Sequence, residues 1–160
     1  MENKNYINRK SFSRFFATQI LFSYFSNLQD KENILSLSSF MEQYYISDEF
    51  SNEDSELYKK SVNVDFLNNI LLGTIENIDT IDQILKDNLT GKYTFNIVDD
   101  LIKVILRLAV YEFKYTSTDL KIIINEYVDI SAEYFDKKAV SFVNATLDNL
   151  SKNIERKIND

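Results

Sequence analysis

Ile97-Val-Asp-Asp-Leu-Ile-Lys-Val-Ile-Leu-Arg-Leu-Ala-Val-Tyr-Glu-Phe-Lys-Tyr115 is the stretch that decides the fold. At about 3.6 residues per turn, Val98, Leu101, Ile102, Ile105, Leu108, Ala109 and Val110 nearly encircle a helix. A helix that is apolar on all sides belongs inside other helices. The spacing therefore predicts a central helix over 97–115, opened by Asn96, whose side-chain oxygen can accept from an orphan amide. Arg107, Tyr111 and Glu112 place polar groups within this apolar run. A buried polar group is costly unless it is hydrogen-bonded, so each needs a partner.

Two later phrases have the same character. Ile122-Ile-Ile-Asn-Glu-Tyr-Val-Asp-Ile130 carries Asn125 and Glu126, and Phe142-Val-Asn-Ala-Thr-Leu-Asp148 carries Asn144 and Asp148. One reading joins Arg107, Tyr111, Glu112, Asn125, Glu126, Asn144 and Asp148 in a structural polar network between packed helices. The planar fork of Arg107 would then meet Asp148 or Glu126. The other reading presents Arg107 to phosphate. A catalytic carboxylate pair, Glu126 with Asp148 or Glu112, is disfavoured because nothing else in the chain supplies a nucleophile or a ligand set.

Outward from this core the pattern stays helical. The chain has no proline and only two glycines, Gly73 and Gly91, which leaves little turn chemistry for hairpins. A first helix is predicted over 10–27, with Phe12, Phe15, Phe16, Ile20, Phe22 and Phe25 on a wide apolar face. A second is predicted over 32–44, an acidic, serine-rich loop over 46–60, and a third helix over 64–77. Thr80-x-x-Gln83 resembles a capping box opening a fourth helix that reaches Asn88. Gly91 marks a break. Ser117 or Thr118 would cap a sixth helix over 119–135. The Ile122-Ile-Ile124 triplet alone could be a strand, but the Asn-Glu that follows favours helix. Asp136 would cap a seventh, with a stripe of Ala139, Phe142, Val143, Thr146, Leu147, Leu150, Ile154 and Ile158. The expected fold is all-α, a single-domain bundle of about seven helices covering residues 1–160.

Composition narrows the function. With neither cysteine nor histidine, thiolate chemistry, zinc–thiolate sites and the usual general base are absent. No catalytic residue, cofactor site or metal site is readable, and the expectation is a protein that is not an enzyme. No apolar run has the roughly 18–20 residues that a membrane helix needs, and the N-terminus has no signal-peptide core. A cytoplasmic protein with no membrane partner is expected. Net charge is −7, unevenly spread: residues 1–28 carry Lys4, Arg9, Lys10 and Arg14 against Glu2 for a net of +3, leaving −10 for the remainder. Lys10 and Arg14 share a helix face at i and i+4. They form either a solvated surface or, with Arg9, a phosphate-contact cluster. Tyr6, Phe12 and Phe22 could offer stacking surfaces to unpaired bases, although such phenylalanines are more often core.

In order and spacing these phrases resemble the NusB family. The N-terminal pattern is Arg9-Lys-Ser-Phe-Ser-Arg14, then Ala17-Thr-Gln19-Ile-Leu21-Phe22. The later one is Arg107, Ala109, Tyr111, Glu112 and Phe113, then Ile124-Asn-Glu126, then Phe142-Val-Asn144-Ala145-Thr-Leu147-Asp148. The chain departs from the family pattern where Asp119 stands for a proline, Ala145 for a glycine and Phe22 for a tyrosine. The resemblance implies an all-helical RNA-binding domain without catalysis or cofactor. It implies a transcription antitermination factor that pairs with the small ribosomal-subunit protein NusE. Such a factor binds boxA-type single-stranded RNA of nascent ribosomal transcripts within an RNA polymerase antitermination complex. On that basis Arg9, Lys10 and Arg14, extended by Lys121, are the expected RNA-binding residues. A homodimer remains open. The alternatives are a protein-interaction scaffold of the same fold and, because a NusB-like domain precedes some ribosomal RNA methyltransferases, an RNA-modifying enzyme. The latter is disfavoured by the lack of a glycine-rich cofactor loop and a cysteine.

Overall fold

The computed structural model describes residues 9–27 and 62–158. The helix expected over 32–44, the loop expected over 46–60 and Tyr6 lie outside the described residues. Among the described residues there are six helices and no strand. They are α1 (Arg9–Asn27), α2 (Val64–Glu76), α3 (Ile78–Asn88), α4 (Asp100–Tyr115), α5 (Leu120–Tyr134) and α6 (Lys137–Asn153). The chain forms two compact units, Met1–Leu71 and Leu72–Asp160.

In the first unit, α1 buries Ser13, Phe16, Ala17, Ile20 and Leu21, a stripe at i, i+3 and i+4. Phe12, Phe15 and Phe25 are half-buried, and Phe22 is 39% exposed. The expected phenylalanine face is thus narrower than the sequence suggested. Phe22 follows Ile20 by two positions, about 200° around the helix, and so points away from the stripe. The hydroxyls buried on α1 bond back to its own backbone. Ser13 Oγ donates to the Arg9 carbonyl at 2.7 Å, and Thr18 Oγ1 to the Arg14 carbonyl at 2.9 Å. Ser13 Oγ also accepts from the Asn63 amide at 3.0 Å. Asn63 in turn caps α2, its Oδ1 accepting from the Phe66 amide at 3.0 Å.

In the second unit, α4 is the central element: α3, α5 and α6 all pack on it, and α5 and α6 pack on each other. Val104, Ile105, Leu106, Leu108, Ala109, Val110 and Phe113 are buried on every side of it. Each large side chain of this set contributes about 1.5–3 kcal/mol by leaving water. Leu101 is half-buried.

The helices α4 and α5 start later than the sequence suggested, for reasons of charge. Asp99, not Asn96, caps α4, its carboxylate accepting from the Leu101 amide at 2.8 Å and the Ile102 amide at 3.4 Å. Asp119, not Ser117 or Thr118, caps α5 through the Lys121 amide at 2.9 Å and the Ile122 amide at 3.4 Å. A carboxylate accepts strongly and also meets the positive end of the helix dipole. Asp119 thereby starts α5 at the position where the family pattern has a proline. Asp136 caps α6 through the Ala139 amide at 3.0 Å, as its position predicted. The capping box at Thr80 does not form. Helix α3 begins at Ile78, and Gln83 donates forward to Asp87 at 2.8 Å. Gly91 turns the α3–α4 loop with φ of 72°, a value that favours glycine.

The end of α4 is closed from far along the chain. Arg156 Nε donates to the Phe113 carbonyl at 2.9 Å, and its Nη2 donates to the Thr118 carbonyl at 2.8 Å and to that of Thr116. These are orphan carbonyls of a helix C-terminus and the loop after it. A cation there is favoured by both hydrogen bonding and the dipole.

Candidate nucleic-acid interface

The basic cluster of α1 divides by depth. Arg9 and Lys10 are exposed on the first turn. Lys10 Nζ lies 5.2 Å from the centre of the Phe66 ring. Arg14 lies one turn further along and is only 1% exposed, its guanidinium 4.9 Å from the same ring. A phosphate cannot reach a guanidinium so enclosed, so the expected three-cation surface on α1 reduces to Arg9 and Lys10. The fourth expected cation, Lys121, is exposed on the first turn of α5 in the second unit.

The polar phrases separate in the same way. Arg107 is half-buried and forms a two-pronged pair with Asp82 of α3, Nε to Oδ1 at 2.8 Å and Nη2 to Oδ2 at 3.0 Å. An acid on a neighbouring helix was expected, but Asp148 was a named candidate and Asp82 was not. Asp148 is exposed and pairs with Lys152 at 3.0 Å within α6. Glu112 is fully buried and accepts from the Tyr127 hydroxyl at 2.6 Å. Asn125 and Asn144 are exposed, whereas Glu126 is half-buried. Asn125 and Asn144 therefore do not lie in the interior, where the phrases placed them.

Tyr111 is buried against the backbone of α2. A Cβ added at Gly73 would overlap its ring, so glycine is what lets the tyrosine in. Burial first, then the charges of Glu76, Tyr115 and Glu112, push the Tyr111 phenol above its ordinary range. Burial also raises that of Tyr115.

A feature that the sequence did not reveal lies on the second unit. Tyr93, Ile97, Val98, Asp99, Ile102, Asp136, Lys138, Ala139 and Phe142 line an open cavity of about 270 Å³. The Tyr93 and Phe142 rings are 4.9 Å apart. Tyr93 is 45% exposed and Ile97 68%. Phe142 read as part of the apolar stripe of the last helix. Nothing in the spacing showed that the α3–α4 loop would bring a second aromatic ring to it. Apolar walls with few polar groups at the rim are the usual make-up of a small-ligand site. Among the described residues no group of three or more acidic side chains is placed to hold a metal. Among the described residues no helix is long and apolar enough to cross a membrane.

Comparison with known proteins covers nearly the whole chain. T. maritima NusB superposes with a TM-score of 0.66 at 25% identity, covering 90% of this chain and 91% of that one. The solution structure of NusB from Aquifex aeolicus gives the same TM-score at 21% identity over 93% and 95% of the two chains, a likeness of fold. The transcription antitermination protein NusB of Rickettsia akari is 28% identical over 151 residues, 94% of this chain and 96% of its own. That of Sulfurovum sp. is 36% identical over 106 residues, 66% of this chain and 78% of its own. The NusB family profile matches residues 11–152. With the all-helical fold, the central α4 and the phrases on α4, α5 and α6 in their expected order, this chain belongs to the NusB family.

Proposed function

We propose that this protein is a transcription antitermination factor that binds boxA-type single-stranded RNA of nascent ribosomal transcripts together with NusE, within an RNA polymerase antitermination complex. The observation that carries this reading is the likeness to transcription antitermination proteins over 94–98% of the chain. The geometry supports it in two ways. Arg9 and Lys10 on α1 and Lys121 on α5 put exposed cations where a phosphate can meet them. The Tyr93–Phe142 groove offers an aromatic face on which an unpaired base can stack. Binding and stacking require no proton transfer, so the role is that of a binding module rather than a catalyst.

Net charge of −7 and the enclosure of Arg14 favour one second reading, a protein-interaction scaffold with little RNA binding of its own. A salt titration separates the two. Each phosphate contact to a single strand contributes about −0.7 to the slope of log affinity against log salt. Arg9→Ala/Lys10→Ala should flatten that slope by about 1.4 for boxA-type RNA, and NusE should tighten binding by the parent. A parent that shows no affinity for the RNA, alone or with NusE, leaves the scaffold reading in place.

A further inference from the structure

Three cations converge on one ring in the second unit. Lys86 Nζ of α3 lies 5.3 Å from the centre of Phe95, Lys103 Nζ of α4 5.0 Å, and Arg107 Cζ of α4 5.5 Å. Like charges gather only where something offsets their repulsion. The negative face of the ring does part of this. Asp82 takes the fork of Arg107. Asp100 stands 3.6 Å from Lys103, but its side chain is 84% exposed, so solvent screens the pair. Lys86 is exposed and has no ion-pair partner among the described residues. The Lys103 side chain is 14% exposed, so Lys86 makes the outer contact. One positive charge is left over, in a chain that is otherwise strongly acidic.

The position of the cluster gives it a ligand. Phe95 follows Tyr93 by two residues in the α3–α4 loop. Tyr93 turns to Phe142 in the groove, and Phe95 turns to the cations. A stacking face and an anion site thus start two residues apart in one loop, a spacing suited to the alternation of bases and phosphates along a strand. An acidic peptide would use the cations but leave the aromatic groove without a planar partner.

We propose that Lys86 and Lys103, gathered over Phe95, form a second phosphate subsite, which takes the backbone of a single strand whose base stacks on the exposed face of Tyr93. The subsite rests on the RNA-binding reading above. Arg107, locked by Asp82, positions the ring and does not itself meet the strand.

The test uses the full chain, a labelled 12-nucleotide boxA-type RNA and fluorescence anisotropy across a potassium chloride series. Lys86→Gln/Lys103→Gln should flatten the salt slope by about 1.4 and weaken binding about tenfold near physiological salt. Lys152→Gln/Lys157→Gln, which removes the same charge from exposed positions at the other end of α6, should leave the slope unchanged. Lys86→Glu, an exposed substitution that leaves the packing of Lys103 intact, should weaken binding still further than Lys86→Gln does. If the parent shows no RNA binding, the functional reading fails and the subsite falls with it. If the parent binds and both Lys86 variants bind as it does, the subsite alone is overturned. Equal weakening by the Lys152/Lys157 pair reduces the effect to long-range charge and also overturns it. Unchanged RNA affinity with lost binding of a decaglutamate peptide would assign the cations to an acidic protein segment instead.

Discussion

A guanidinium drawn out of water keeps its charge, so its place in a fold is set by what meets it. Arg107 was legible as such a residue because it interrupts an all-round apolar helix. Its partner was not, because Asp79, Asp82 and Asp87 all lie on α3 and only the packing of α3 on α4 selects Asp82. Arg107→Ala strands a half-buried carboxylate and should lower stability by about 2–3 kcal/mol in urea denaturation. Asp82→Ala should cost a similar amount, and the double variant much less than their sum, because one pair is lost rather than two. Additive losses would show that the two residues act separately. Arg14 gave the opposite lesson. It stood in a basic cluster, and sequence cannot tell a cation on the rim of a helix face from one folded under it. Tyr111 offers a pH-dependent test. Its phenol is raised by burial and by Glu76, so the unfolded chain ionises near pH ~10 before the folded one does. The stability lent by neutral Tyr111 is whole below that pH and is lost as pH rises through the folded-state value. The urea midpoint of the parent should fall more steeply between about pH 9 and about pH 11 than that of Tyr111→Phe.

At the scale of elements, hydrophobic periodicity located the helices well and their ends less well. α1, α2 and α4 lie where their apolar patterns put them. The starts of α4 and α5 moved by one to three residues because a nearby aspartate outcompeted an amide or a hydroxyl for the orphan amides. The breadth of the α1 face was overread because phenylalanine looks inward-facing wherever it falls. The join of α2 and α4 was invisible in sequence: Gly73 is one glycine in a helical run, and only the Tyr111 ring pressed against it explains the choice. Gly73→Ala gains about 0.5–1 kcal/mol of helix propensity but drives a methyl into that ring. Overpacking of this kind typically costs about 1–3 kcal/mol. The net result should be a protein less stable by about 1–2 kcal/mol, read as a lower urea midpoint with an unchanged slope. Adding Tyr111→Leu to Gly73→Ala should recover part of the loss.

For the whole molecule, the class of fold and the family were readable from the order and spacing of three phrases rather than from any single residue. The candidate site was readable only in part. Arg9, Lys10 and Lys121 are exposed, and their contact with phosphate is the proposal made above. The groove at Tyr93 and Phe142 arises from two segments about fifty residues apart, and no local pattern announces it. The clamp of Arg156 is similarly remote. It closes carbonyls that precede it by 38 to 43 residues. A ribosome adds about 5–20 residues per second, so those carbonyls wait roughly 2–9 s for their cation after they are made. Until then the carbonyls at the end of the central helix have no guanidinium to meet. The segment after α6 then works as a timer, closing the end of α4 only once α5 and α6 have been made.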